Sequence, residues 1–192
     1  MRIGLYGGSF DPVHLGHLLV ARAAAEEIQL DRLFFIPAAQ SPFKPDAPPA
    51  PAPDRLRMLR TALAGWSGCE VDEREVRRGG ISYTVDTVQA YRRQFPDAEI
   101  FYLIGVDHVA TLPKWREAST LAAMLEFVAI PRPGELAVEP PAPFRVRSLS
   151  GFPLRLSSSA IRQRVRLGLP VRHLVPPGVD EIILNNRLYL GA

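Results

Sequence analysis

Apolar positions along this chain alternate between short solid runs and longer stretches in which they return every three or four residues. The run at residues 2–6 predicts a short buried strand, whereas Leu18, Leu19, Ala21, Ala25 and Ile28 fall on one helix face across residues 15–30. Residues 33–36 are a second strand candidate. Beyond it, Pro37, Pro42, Pro45, Pro48, Pro49, Pro51 and Pro53 break regular structure, and the gap reads as a mobile loop up to a helix at 54–63. The pattern then predicts a strand at 71–76, a helix at 84–95 and strands at 100–104 and 127–130. A Pro- and Gly-bearing stretch at 131–143 precedes one further strand at 144–149 and terminal helices at 158–167 and 179–185. Strands alternating with helices imply an α/β domain on a parallel sheet, with ligands beyond the carboxyl ends of the strands.

The 192 residues suit one such unit, residues 1–192, and no repeat or linker divides it. A composition of 47% hydrophobic and 22% charged residues describes a globular chain rather than a disordered one. No apolar run approaches the roughly 20 residues of a membrane span, and the N-terminus enters a Gly-rich turn with no apolar leader. The expectation is a cytoplasmic protein with no membrane partner. Cys69, the single cysteine, excludes an intrachain disulfide and a cysteine-based zinc site. The net charge of +3 suits anionic substrates, but the arginines are scattered and form no basic tract, so nucleic acid is not an expected partner.

The chemistry begins at Gly7-Gly8-Ser9-Phe10-Asp11-Pro12-Val13-His14-Leu15-Gly16-His17. Paired glycines at a strand end let backbone amides approach a phosphate, and the helix that follows presents an anion-favouring N-terminus. His14 and His17, three apart, can face one pocket and donate to phosphate oxygens, and their protonation would add charge opposite a phosphoryl-transfer transition state. Two plainer readings stand beside this: the histidines cap the helix or face solvent, or they bind a metal. For a metal only His108 and His173 remain as further histidines, with no evident third ligand. The P-loop and dinucleotide patterns are absent. Ser9 is no hydrolase nucleophile, because Asp11 stands where the elbow's second glycine belongs.

This block resembles the signature of the HxGH nucleotidyltransferases. A second block, Leu156-Ser157-Ser158-Ser159-Ala160-Ile161-Arg162, offers serine N-caps and places a cation in a first helical turn, where it opposes the dipole unless an anion lies nearby. It is similar to that family's ISSTxIR motif, with Leu156 for Ile and Ser159 for Thr. The resemblance implies an ATP site built from Gly7, Gly8, Ser9, Phe10, His14, His17, Ser158 and Arg162, with the backbone near Ile161 bordering adenine.

The middle of the chain resembles one branch of the family, the bacterial nicotinate mononucleotide adenylyltransferases. The matching segments are Ser82-Tyr83-Thr84-Val85-Asp86-Thr87, Ile104-Gly105-Val106-Asp107, Leu112-Pro113-Lys114-Trp115, Arg132-Pro133-Gly134 and the ending Asn186-Arg187-Leu188-Tyr189. Trp115 offers a flat face for a pyridine ring, set against the commoner buried tryptophan. Thr84 suits the nicotinate carboxylate or a helix cap, and Gly105 and Asp107 suit the ATP ribose or a cap. Lys44 in Ser41-Pro42-Phe43-Lys44-Pro45 fits the family's PPHK loop, with Phe43 replacing the usual histidine, and Arg116 and Arg132 complete the mononucleotide set.

What the resemblance implies is a Rossmann-like nucleotidyltransferase fold, a central parallel sheet flanked by helices. The implied reaction transfers AMP from ATP to nicotinate mononucleotide, forming deamido-NAD and pyrophosphate, with Mg²⁺ accompanying ATP and no metal site in the protein itself. His14 and His17 are the implied catalytic donors. Phosphopantetheine adenylyltransferase is the alternative enzyme, opposed by the length, by His14 where that family has Thr, and by Trp115. A non-catalytic nucleotide sensor of the same fold is the alternative outside enzymology, and homo-oligomerisation is left open by the sequence.

Overall fold

A computed structural model describes residues 1–42, 48–134, 139–152 and 154–190. Among these residues six strands form one parallel sheet: β1 (Arg2–Gly8), β2 (Arg32–Pro37), β3 (Cys69–Val71), β4 (Glu99–Gly105), β5 (Glu126–Ile130) and β6 (Val146–Ser148). Their order, β3-β2-β1-β4-β5-β6, makes β1 and β4 neighbours across the point where the winding reverses. At that point the connections leave β1 and β4 toward opposite faces, and a crevice opens beyond the carboxyl ends of both strands.

The helices cover both faces, which is why the strands read as solid apolar runs rather than as an alternation. Leu33 and Phe35 of β2 and Phe101 and Leu103 of β4 point into one layer, with α1 (Leu15–Ile28), α2 (Ala52–Ala62), α6 (Ser158–Arg166) and α7 (Val179–Asn185). Phe34, Ile36, Ile100, Tyr102 and Ile104 point into the other, with α4 (Thr84–Gln94), a 3₁₀ helix at Val106–Lys114 and α5 (Ala118–Met124). None of the described helices is long and apolar enough to cross a membrane.

The expected elements are found with shifted ends, and two expectations are overturned. The strand expected at 71–76 is β3 only as far as Val71 and is followed by the short helix α3 (Arg74–Arg78). Asp72 is the cause: its carboxylate accepts the Arg74 backbone N–H at 2.9 Å, a local bond that competes with strand pairing. The two glycines expected in the first turn instead close β1, where Gly7 and Gly8 pair with Ile36 and Pro37 of β2. The turn itself starts at Ser9, and Phe10 takes a left-handed φ of 47°.

Candidate active site

A cleft of about 1070 Å³ opens over the carboxyl ends of β1 and β4, at the upper end of the size range of small-molecule pockets. It brings together Gly7, Gly8, Ser9, Phe10, His14 and His17 from the first block and Ser158 and Arg162 from the second. From the middle of the chain come Thr84, Gly105, Trp115 and Arg132. Lys44 and Phe43 lie outside the described residues.

His14 is the N-cap of α1 and His17 stands in its first turn. Their rings stack with centroids 3.7 Å apart. The backbone N–H of His14 donates to Nδ1 of His17 at 3.1 Å, so the neutral His17 ring carries its proton on Nε2. Nδ1 of His14 is buried with no hydrogen-bond partner, and its ring is placed by stacking and by the bare backbone of Gly16. A Cβ at Gly16 would stand 3.0 Å from two atoms of that ring. The fully buried Phe10 ring meets His17 edge-on at 5.1 Å, so the left-handed turn at Phe10 becomes the floor beneath the pair.

The surroundings of these histidines disfavour the protonation that would add charge. Burial lowers His14 to about 4, and burial together with the neighbouring His14 holds His17 well below its ordinary value. Both are neutral at pH 7 in the unliganded protein, and act as polar N–H groups rather than as imidazolium ions.

The N-terminus of α6 faces this pair. Ser157, not Ser158, is its N-cap, and its hydroxyl accepts the Ala160 N–H at 3.2 Å. The Ser158 hydroxyl donates to the Pro12 carbonyl at 2.9 Å and ties the two blocks together. Arg162 donates from Nη1 to the Asp11 carbonyl at 2.7 Å, with the Asp11 carboxylate 3.9 Å away. Arg162 thus stands at the fifth position of α6, in its second turn rather than the first turn expected, and Asp11 supplies part of the anion it faces. Ile161, expected to border adenine, is wholly buried in the core and does not line the cleft, whereas its neighbours Ala160 and Arg162 do.

At the other end, Thr84 is the first residue of α4 rather than its cap, which is Tyr83, and its hydroxyl donates to the Tyr102 hydroxyl at 3.4 Å. That Tyr102 hydroxyl occupies the space a side chain on Gly7 would need. Trp115 is half-buried: its ring meets Tyr102 and Phe127 edge-on, and its Nε1–H donates to Thr111 at 3.3 Å. Asp107 lies in the first turn of the 3₁₀ helix and pairs with Arg132 at 3.4 Å at the rim of the cleft. Arg116 points elsewhere, stacking on Tyr83 and facing Asp86 and Glu117, and it does not line the cleft.

Four polar residues here carry no assignment from the sequence. Arg55, on the buried face of α2, donates to the carbonyls of Ser9, Ala38 and Ala50 and braces the turn after β1. Its spacing with Met58 and Leu59 marks that buried face, the one sequence signal available for it. Glu75 is buried at the edge of the cleft, bonded to Thr87 at 2.5 Å and to Ser82, and burial raises its carboxyl above the usual range. Asp11 and Tyr189, 178 positions apart, join at 2.7 Å. Among the described residues no group of three or more His, Cys, Asp or Glu side chains converges as a metal cage.

The cytidylyltransferase-like family matches residues 5–164. A protein of Gemmatimonas aurantiaca named "probable nicotinate-nucleotide adenylyltransferase" is 45% identical, over 98% of this chain and 92% of its own. A protein of the same name from Opitutus terrae is 41% identical, over 98% of both chains. Among solved structures, a nicotinic acid mononucleotide adenylyltransferase of Plasmodium falciparum complexed with NaAD superposes with a TM-score of 0.78. The alignment covers 98% of this chain and 97% of that one. At 17% identity that likeness speaks to the fold.

Proposed function

From the premise that this chain belongs to the nicotinate-nucleotide adenylyltransferases of the cytidylyltransferase-like family, we propose how its cleft carries out AMP transfer. The protein is an enzyme that joins nicotinate mononucleotide to the AMP moiety of ATP, forming deamido-NAD and pyrophosphate in NAD biosynthesis. An oxygen of the mononucleotide phosphate attacks the α-phosphorus of ATP; that P–O bond forms as the bond to the β-phosphate breaks, and pyrophosphate leaves with the electron pair. The nucleophile is already an anion at pH 7, so no general base is needed, and catalysis rests on position and electrostatics.

The observation that carries this assignment of roles is the meeting of two helix N-termini on one cleft, one bearing the stacked pair His14 and His17 and the other bearing Arg162. His17 donates from Nε2 to the phosphoryl oxygens as charge gathers in the transition state. His14 donates beside it, and Arg162 with the first turn of α6 receives the departing pyrophosphate. Trp115, Thr84 and Arg132 take the mononucleotide, with the indole against the pyridine ring. Mg²⁺ enters on the ATP phosphates as part of the substrate. The substrates are small nucleotides rather than nucleic acid, and the setting is the cytoplasm.

Incubation with MgATP and nicotinate mononucleotide is expected to yield one dinucleotide per pyrophosphate, identified by mass. ATP binding with no pyrophosphate would favour a sensor instead.

A further inference from the structure

The ending Asn186-Arg187-Leu188-Tyr189 has no part in the reaction as described, yet its last residue reaches the nucleotide cleft. Leu188 is buried and anchors the tail through its N–H to the Ile183 carbonyl at 2.9 Å. Tyr189 follows with a left-handed φ of 65°, which turns its side chain back toward the loop after β1. There its hydroxyl donates to Oδ1 of Asp11 at 2.7 Å, and Tyr189 itself lines the cleft.

Asp11 is nine-tenths buried and stands between two guanidinium groups. Arg55 is committed to three carbonyls, as described above. Arg162 is not so committed: it donates to the Asp11 backbone carbonyl and to Ser159, while Oδ2 of Asp11 lies 3.9 Å away, beyond hydrogen-bond range. The other carboxylate oxygen, Oδ1, is occupied: it accepts the Tyr189 hydroxyl and, at 3.3 Å, the Ala50 N–H.

We propose that Tyr189 is a positioning residue of the ATP site, holding the Asp11 carboxylate off Arg162 so that the guanidinium stays available to phosphate. The proposal rests on the reading that Arg162 receives ATP phosphates. Without the tyrosine hydroxyl, Asp11 turns to a full charge-assisted pair with Arg162 and competes with the nucleotide. The C-terminal tail thereby sets the affinity of a site whose first block, with Asp11, lies 178 positions away in the chain.

The test is calorimetric binding of MgATP, with no acceptor present, to the wild type, Tyr189→Phe, Asp11→Asn and the double variant, with thermal unfolding of each. Tyr189→Phe keeps the ring and is expected to weaken ATP binding about tenfold, the worth of one charge-assisted hydrogen bond. Asp11→Asn keeps an acceptor for Tyr189 and removes the competing charge, so it binds ATP at least as tightly as the wild type. In the double variant it restores affinity to within about twofold of the wild type, a rescue that a merely structural role for Tyr189 would not give. Unchanged binding by Tyr189→Phe, or further weakening in the double variant, overturns the proposal. Should Tyr189→Phe fail to fold, Asp11→Asn alone decides, and a large loss of ATP affinity in it overturns the proposal. A wild type that binds no ATP removes the underlying reading, and this inference with it.

Discussion

Replacing His17 separates the catalytic part of its ring from the structural part. Nδ1 accepts the His14 N–H at 3.1 Å and closes the first turn of α1, while the proton on Nε2 is the one proposed above to meet the phosphoryl oxygens. His17→Ala removes both functions. His17→Asn keeps an acceptor near the position of Nδ1 and ends short of Nε2. Loss of one preorganised transition-state donor costs about 2.7–4 kcal/mol, or roughly 10²–10³ in turnover, and both variants are expected to show it. Loss of the helix-capping acceptor costs about 1 kcal/mol, and only the alanine variant should show that. For a chain of this length it corresponds to a fall of about 2–4 °C in Tm. Pyrophosphate release at saturating substrates gives the first quantity and thermal unfolding the second. An asparagine variant turning over within tenfold of the wild type would refute the assignment of Nε2 as the donor.

Gly16→Ala places a Cβ 3.0 Å from the His14 ring in a helix that otherwise favours alanine, so turnover should fall about tenfold or more while Tm holds or rises; equal losses of both would show a packing role instead. His14 is lowered from 6.5 to about 4, so its contribution to stability is complete above pH 6.5 and is lost as pH falls through about 4. By pH 5 on the order of 2 kcal/mol is gone, and urea unfolding of His14→Gln should show a shallower slope with pH, keeping only the part that buried His17 contributes. Glu75 is raised rather than lowered, so its contribution is complete below its unfolded value of 4.5 and is lost as pH rises through its native value. The Tm of Glu75→Gln should accordingly gain on the wild type with rising pH, and parallel curves would show that Glu75 is ionised in the fold.

The layered sheet was legible because β2, β4 and β5 are buried on both faces and therefore appear as unbroken apolar runs. The 3₁₀ helix at Val106–Lys114 was not, since its buried Val106, Val109 and Leu112 recur every third residue over a segment too short to predict a helix, with Pro113 inside it. Local rules likewise misplace the strand beyond Val71, where one Asp72 side-chain bond outweighs β propensity. In the site, motifs mark groups that line the cleft, and they say little about groups that hold those in place. His14, His17 and Arg162 were visible in their blocks; Arg55, Glu75 and the bond from Tyr189 to Asp11 depend on contacts between distant segments. The neutral state of the histidines belongs to this second kind, because burial rather than spacing determines it. Arg116 shows the converse: a cation one residue beyond Trp115 is turned away by Tyr83 and Asp86.

The choice of acceptor is read most directly from the rate of pyrophosphate release from MgATP with nicotinate mononucleotide, nicotinamide mononucleotide and phosphopantetheine offered separately. Nicotinate mononucleotide is expected to give the highest kcat/KM. Equal rates with both mononucleotides would contradict the acid-specific site around Thr84, and release with phosphopantetheine alone would contradict the acceptor altogether.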